Sequence, residues 1–341
     1  MIVRSKAPLR LGLAGGGTDL PNYASIHGGV VLNATINMYA HCTIETLTSN
    51  EIIFEALDLE QKIGFALQPV LSNDHVLKLH SGVYNRIIKD FNKNEPLSLK
   101  VSTYADSPIG SGLGTSSALV VAMLKGYTEL LKLPLGEYDI AKLAYEIERL
   151  DLKLEGGMQD QYAATFGGFN FIEFHKDLNV IVNPLRIRQW LKDEFEESLV
   201  LFFTGKSRES AHIIKDQIKH TTENHSANME GMHQLKEAAY RMKEALLKGD
   251  IKGVAIELKN GWEAKKKTSS SITNSLIDEV YNAAINAGAL AGKVSGAGGG
   301  GFMMFLVDPR KKLDVVRTLS NYPGTVKTIE FVERGTKGWY I

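Results

Sequence analysis

The chain has 341 residues, of which 44% are hydrophobic and 23% are charged, proportions typical of a soluble globular protein. Lysine plus arginine equals aspartate plus glutamate at 39 each, and this zero net charge argues against nucleic acid or an anionic membrane as a partner. The single cysteine, Cys42, excludes an internal disulfide framework and favours a reducing, cytoplasmic location. The N-terminus lacks the apolar core of a signal peptide, and no apolar run approaches the roughly 18 residues of a membrane span.

The first half of the chain is predicted to mix strands and helices, from the periodicity of its apolar residues. In chain order these elements are strands near 2–13, 28–37 and 39–48, a helix over 75–91, a strand over 97–104, and helices over 116–132, 135–150 and 161–166.

The second half begins near residue 185 and has no proline between Pro184 and Pro309. Residues 208–288 are rich in Ala, Leu, Lys and Glu, which predicts several consecutive helices. After them we expect strands over 289–295 and 302–307, a helix over 309–320 and a strand over 325–332. A strand is also predicted over 199–203. The length favours two domains, 1–187 and 188–341.

Three glycine-rich segments stand out, at Gly12–Asp19, Ser107–Ala118 and Lys293–Gly301. The middle one, Ser-Pro-Ile-Gly-Ser-Gly-Leu-Gly-Thr-Ser-Ser-Ala, leads into an apolar helix. Glycine allows close approach of a ligand to the backbone, and helix N-termini bind phosphate groups. This segment therefore indicates a nucleotide site.

Other nucleotide-binding motifs fail on spacing. A Walker loop needs Lys after its last glycine, and Gly205-Lys206-Ser207 lacks the required earlier glycine because Val200 stands there. The dinucleotide fingerprint fails because Thr115 occupies the place of its third glycine. The histidine spacing and the single cysteine indicate no structural zinc site.

Taken in order, the three segments resemble the GHMP kinase superfamily over essentially the whole chain. The resemblance implies an α+β fold in two domains, the first similar to ribosomal protein S5 domain 2 and the second ferredoxin-like. It also implies ATP and Mg²⁺ as cofactors. The residues implied to bind ATP are Pro108, Gly110, Ser111, Gly112, Leu113, Gly114, Thr115, Ser116 and Ser117.

Asp160 is the candidate catalytic carboxylate, in the segment Gly-Gly-Met-Gln-Asp-Gln. From the residues alone it is equally a carboxylate that stabilises a helix N-terminus. The resemblance implies that it contacts the substrate hydroxyl, and because a carboxylate is a weak base toward an alcohol, we expect it chiefly to orient that group. Arg10 is the candidate cation, which would stabilise the transferred phosphoryl group or favour ionised Asp160; the alternative is an exposed arginine on a strand.

Ser117 and Glu148 are the candidate metal ligands, since one hydroxyl and one carboxylate suffice for Mg²⁺ when nucleotide phosphates supply the rest. The resemblance implies both, and Glu148 precedes Asp160 by the spacing seen in galactokinases. Ser116 and Glu146 are the alternatives, and an exposed helix charge is the simpler reading of Glu148.

Substrate contacts are expected at Gly16, Gly17, Thr18 and Asp19, because a carboxylate after a glycine loop can accept hydrogen bonds from two sugar hydroxyls. Galactokinases carry Glu-His where Gly16 and Gly17 stand, so a bulkier sugar is indicated. Arg208 with Lys206, or else Lys293, is a candidate for holding a sugar phosphate, against an ordinary strand–helix turn. Gly298 is expected in the wall of the site.

The opening segment is most similar to the heptose-phosphate kinases of the superfamily. This implies transfer to the anomeric hydroxyl of D-glycero-D-manno-heptose 7-phosphate, giving the 1,7-bisphosphate for nucleotide-activated heptose synthesis. The alternatives are an L-fucokinase-like enzyme and a non-catalytic sugar sensor. The expected partner is therefore a small phosphosugar, and a homodimer is compatible with the sequence. The run Lys265–Lys267 is interpreted as a solvated helix face.

Overall fold

The computed structural model describes residues 1–205, 213–215, 218 and 226–341. Its strands are β1 (Ile2–Ala14), β2 (Gly29–Thr46), β3 (Glu51–Ala56), β4 (Gln61–Ala66), β5 (Leu99–Ala105), β6 (Phe169–Phe174), β7 (Val180–Pro184), β8 (Leu199–Phe203), β9 (Ala289–Val294), β10 (Phe302–Val307), β11 (Thr325–Lys327) and β12 (Lys337–Tyr340). Its longer helices are α1 (Pro21–His27), α2 (Lys78–Phe91), α3 (Thr115–Leu131), α4 (Glu137–Glu146), α5 (Gln159–Phe166), α6 (Gln189–Glu197), α7 (Ser226–Lys248), α8 (Ile251–Lys266), α9 (Ser275–Asn286) and α10 (Lys312–Leu319).

The first sheet has eight strands in the order β12-β1-β2-β5-β3-β4, with β6 paired to β2 and β7 paired to β6. The sequence predicted two strands where β2 runs unbroken. No turn separates the two apolar runs; instead the first half of β2 pairs with β6 and the second half with β5, both antiparallel. A change of partner thus takes the place of the expected turn.

Helix α3 packs against β1 and β2 and forms the centre of the larger core. Its residues from Ala118 to Leu124 are all buried, which is why this segment is apolar on every side. The predicted helix over 135–150 ends as α4 at Glu146 and continues as a single π-helical turn, Ile147–Asp151. Such turns are frequent at functional sites, and this one places Glu148 in the interior.

The second sheet has four antiparallel strands in the order β11-β8-β10-β9. A separate core lies around Phe202, Trp262 and Phe305. Helix α8 contacts both β9 of this sheet and β1 of the first, so it joins the two halves of the molecule. No helix in the described part of the chain is long and apolar enough to cross a membrane.

The chain returns to the first sheet at its end. Strand β11 is shorter than the predicted 325–332, because the following residues leave the second sheet and Phe331 bridges to Ile36. Strand β12 then pairs antiparallel with β1. The division into domains 1–187 and 188–341 stays a prediction. Strand β12 belongs to the second of these ranges by sequence, but it lies in the first sheet.

Candidate active site

The three glycine-rich segments meet around one cavity of about 640 Å³. The second and third segments pack backbone to backbone: the Phe302 amide donates to the Ser111 carbonyl at 2.9 Å and the Ser295 hydroxyl to the Gly112 carbonyl at 2.8 Å. A Cβ at Gly112 would lie 2.3 Å from the Ser295 carbonyl oxygen, and its φ of +86° also favours glycine. These contacts explain why both segments need glycine.

Arg10 and Asp160 form an ion pair at the cavity wall. Arg10 Nη2 and Nε lie 2.6 and 2.7 Å from Asp160 Oδ1, while Nη1 donates to the Gly112 carbonyl. Asp160 stands in the first turn of α5, and a Cβ at Gly114 would lie 3.2 Å from its Cγ. The structure therefore brings together the predicted carboxylate, the predicted cation and Ser107–Ala118, the segment predicted to bind the nucleotide and called the nucleotide segment below.

Glu148, which is buried, forms a cluster with Ser116 and Ser117 in the first turn of α3. Ser116 Oγ donates to Glu148 Oε1 at 2.9 Å. Gln161 Nε2 donates both to the other oxygen of Glu148 and, at 3.1 Å, to Ser117 Oγ. The cluster links both serine hydroxyls to one carboxylate, Ser116 directly and Ser117 through Gln161, so both serines stay candidate metal ligands.

Glu146, the alternative carboxylate, points elsewhere. Its Oε2 accepts from Arg86 Nη1 at 2.9 Å, and it does not line the cavity. Glu148 is 1% exposed, so the reading of Glu148 as an exposed helix charge is wrong.

Asp19 also lines the cavity, where it is buried and fixed by three donors. Its Oδ1 accepts from the Gly17 amide at 3.0 Å and from Gln159 Nε2 at 3.1 Å, and its Oδ2 accepts from the Gln159 amide at 3.2 Å. Gln159 directly precedes Asp160 in the chain. The carboxylate expected to hold the sugar is thus tied to the segment that carries the catalytic candidate.

Gly157 is the position at which a side chain would disturb this arrangement most, since its Cβ would lie 1.9 Å from Asp19 Oδ2. We expect Gly157→Ala to displace Asp19 and to lower kcat/KM for the sugar by about 100-fold, as measured by steady-state kinetics. Gly64→Ala is the matched control, because a Cβ there meets nothing within 4 Å. An unchanged KM for the sugar in Gly157→Ala would contradict the placing of Asp19 in the sugar site.

Two buried lysines line the cavity beneath the first glycine segment. Lys265 Nζ donates to the Gly16 carbonyl at 3.0 Å, and Lys293 Nζ to the carbonyls of Gly12 and Leu13 at 2.9 and 3.5 Å. Burial lowers the pKa of Lys265 to about 8, with Asp19 opposing the fall. Burial, Lys265 and Arg10 together lower the pKa of Lys293 to about 7.

The interpretation of Lys265–Lys267 as a solvated face is wrong for Lys265, which is 6% exposed. Consecutive helical residues point in different directions, so one member of a basic run can face inward while Lys267 remains exposed. Nothing in the sequence pattern marked which of the three lysines this would be.

Several predicted residues lie outside the cavity lining. Thr18 uses its hydroxyl within the fold, donating to the carbonyls of Gly15 and Val30 and accepting from the Val30 amide. Four others also do not line the cavity: Pro108, Ser111, Leu113 and Gly298. They shape the loops rather than face the space between them. Arg208 and Lys206 lie outside the described residues.

The fold and the site have the features expected of a two-domain kinase of small molecules: the N-terminus of α3, the cluster of Glu148 with two serine hydroxyls and the Arg10–Asp160 pair share one cavity. Two family models match this chain. Residues 78–168 match the GHMP kinases N terminal domain, and residues 242–323 match the GHMP kinases C terminal domain. The chain therefore belongs to the GHMP kinases, and the predicted two-domain fold is confirmed.

The similar proteins include sugar-phosphate kinases. The chain is 48% identical over 99% of its length, and 99% of the relative's, to D-glycero-alpha-D-manno-heptose 7-phosphate kinase of Campylobacter jejuni. It superposes with a TM-score of 0.85 and 48% identity on a D-glycero-D-manno-heptose 1-phosphate kinase from Bacteriodes thetaiotaomicron, with 99% of both chains covered. It is 26% identical to a bifunctional fucokinase/GDP-fucose pyrophosphorylase of Arabidopsis thaliana, covering 91% of this chain and 30% of that protein.

Proposed function

We propose that the protein transfers the γ-phosphoryl group of ATP to the anomeric hydroxyl of D-glycero-D-manno-heptose 7-phosphate, giving the 1,7-bisphosphate. The observation that carries the proposal is the position of the Arg10–Asp160 pair, between the nucleotide segment and Asp19 in one cavity. The 48% identity to a heptose 7-phosphate kinase supports the choice of sugar.

In the proposed reaction, the anomeric oxygen attacks the γ-phosphorus of ATP and the bond to the bridging β–γ oxygen breaks. Asp160 accepts a hydrogen bond from the attacking hydroxyl, fixes its direction and takes its proton late in the transfer. Arg10 holds the Asp160 carboxylate in place through two N–H groups and adds positive charge where the phosphoryl group moves.

Mg²⁺ would be held by Glu148 and Ser117, together with ATP phosphates. A buried carboxylate beside serine hydroxyls supplies the oxygen ligands that Mg²⁺ prefers. One carboxylate and one hydroxyl form a partial ligand set, of the kind that nucleotide phosphates complete. When bound, the ion would neutralise phosphate charge.

The two serines can be separated by experiment. We expect Ser117→Ala to weaken Mn²⁺ binding in the presence of a non-hydrolysable ATP analogue by about 10-fold, as measured by electron paramagnetic resonance. Ser116→Ala removes a hydroxyl from the same cluster and is expected to have a smaller effect. A larger loss in Ser116→Ala than in Ser117→Ala would assign the ligand to Ser116 instead.

The substrate is tested by ADP release with Mg²⁺-ATP against heptose 7-phosphate, heptose 1-phosphate, mannose 6-phosphate, fucose and galactose. The heptose 1-phosphate arm is needed because the two similar kinases are named for different phosphate positions. Turnover confined to heptose 7-phosphate is the expected result. Turnover with fucose alone would keep the mechanism and overturn the substrate, and no turnover from folded, ATP-binding protein would favour a sugar sensor.

A further inference from the structure

The ammonium group of Lys265 is buried in the cavity with few protein partners. It lines the cavity from the end of α8, is 6% exposed and makes one hydrogen bond among the described residues, to the Gly16 carbonyl. An ammonium group carries three N–H donors. Two of these donors have no partner among the described residues, in a place where the charge has lost most of its water.

This ammonium group lies against Gly17. A Cβ at Gly17 would lie 3.2 Å from Lys265 Nζ, with the Met232 side chain next at 3.8 Å. Gly16 and Gly17 have no side chains to fill this space, and both line the cavity beside Asp19. A substrate group that extends from Asp19 over Gly17 must therefore meet the ammonium group.

An anionic group is the partner that this site favours. A buried ammonium is costly unless it is paired, and the three hydrogen bonds that fix the Asp19 carboxylate come from Gly17 and Gln159 rather than from Lys265. Asp19 acts on the Lys265 charge only through space, without a hydrogen bond between these two described residues. A phosphate dianion would supply a hydrogen-bonded counter-charge and accept the two N–H groups that have no partner among the described residues. A neutral sugar hydroxyl carries no charge to offset that of the ammonium group, so it would stabilise the buried lysine less than a phosphate would.

Lys78 also lines the cavity, but it is exposed to solvent. Three other cations of the lining, Lys293, Arg149 and Arg10, make more contacts with the described residues than Lys265 does. Lys293 directs its ammonium group at two backbone carbonyls. Arg149 lies 3.4 Å from the Gly157 carbonyl oxygen, 3.5 Å from that of Leu154 and 3.7 Å from the Glu148 carboxylate. Arg10 is paired with Asp160. Among the described residues, Lys265 is thus the buried cation of the cavity that has unpartnered donors close to Gly17.

We infer that Lys265 binds the phosphate group that the sugar substrate already carries, and so makes the enzyme select a phosphosugar over the free sugar. The inference rests on the proposed function, since it takes a sugar phosphate as the substrate. Both the sugar substrate and ATP carry phosphate groups that could bind an ammonium group. The experiment must therefore distinguish the sugar phosphate from the γ-phosphate of ATP.

The test compares Lys265→Met with Lys259→Met, which removes an exposed lysine from the same helix. For Lys265→Met we expect KM for heptose 7-phosphate to rise by about 10- to 100-fold, as for a lost charge-assisted hydrogen bond. KM for ATP and kcat/KM for unphosphorylated heptose should stay within about 2-fold of wild type, so the preference for the phosphosugar collapses. Lys265→Arg should restore most of that preference, and Lys265→Gln replaces Lys265→Met if thermal unfolding shows that the latter does not fold.

Three results would overturn the inference. Equal losses on the phosphosugar and the free sugar would assign Lys265 to a hydroxyl or to the fold. A rise in KM for ATP alone would assign it to the nucleotide, and an unchanged preference would remove it from the site. These outcomes are distinct from failure of the proposed function, in which the wild-type enzyme itself would not turn over heptose 7-phosphate.

Discussion

Asp160→Asn is expected to reduce kcat by about 1,000-fold, within the range of general acid–base contributions. Asparagine keeps the shape of the side chain and an oxygen for Arg10, but it loses the negative charge that attracts the substrate hydroxyl. The cavity and the nucleotide segment should be unaffected, so affinity for ATP measured by isothermal titration calorimetry should change little. The kinetic readout is steady-state ADP release with saturating heptose 7-phosphate.

A matched control exists in the same half of the molecule. Asp151 also pairs with an arginine, Arg86, at 2.9 Å, but it lies outside the cavity. Asp151→Asn removes an exposed ion pair and should leave kcat within about 2-fold of wild type. If Asp160→Asn kept a tenth or more of the wild-type kcat, Asp160 would not be the residue that prepares the attacking hydroxyl.

Glu148→Gln is expected to weaken Mn²⁺ binding in the ATP-analogue complex by at least about 100-fold and to raise the Mg²⁺ concentration needed for turnover. The substitution keeps the size of a buried side chain while removing the charge that a divalent ion requires. Electron paramagnetic resonance of Mn²⁺ measures the affinity independently of catalysis.

Glu146→Gln provides the comparison, since Glu146 lies two residues earlier and pairs with Arg86 away from the cavity. It should leave Mn²⁺ affinity unchanged. Equal Mn²⁺ affinities in Glu148→Gln and wild type would show that Glu148 is not a ligand of the metal ion.

The sequence was most informative where function constrains the backbone. Glycine-rich segments can be recognised directly in the amino-acid sequence. In the structure they meet in one cavity, where the backbone of Gly112 packs closely against the backbone of Ser295. Asp160, Arg10 and Glu148 were found because the segments around them resemble motifs of the GHMP kinases, in which Glu148 has a matching spacing from Asp160. Their roles in catalysis and metal binding stay predictions, but the structure places all three on one cavity.

Residues whose role depends on distant packing were missed. Lys265 comes from α8, and only the contact of that helix with β1 brings it to the first glycine segment. Gln161 was visible beside Asp160, yet its link between Ser117 and Glu148 requires the π-helical turn at Ile147–Asp151. Neither contact is encoded in local periodicity.

The strands show the same limit. The final strand β12 was not predicted, because it is four residues long and pairs with a strand more than 300 positions earlier in the chain. Short segments that are stabilised by remote partners carry little signal of their own.

The central claim is that the anomeric hydroxyl of heptose 7-phosphate receives the phosphoryl group of ATP. Phosphorus-31 NMR of the product mixture tests it most directly, because the spectrum reports which oxygen carries each phosphate. The account predicts one new anomeric phosphate resonance, coupled to the proton on C1, together with the retained 7-phosphate and ADP. A new phosphate at any other carbon, or ADP formed with no new sugar phosphate, would contradict it.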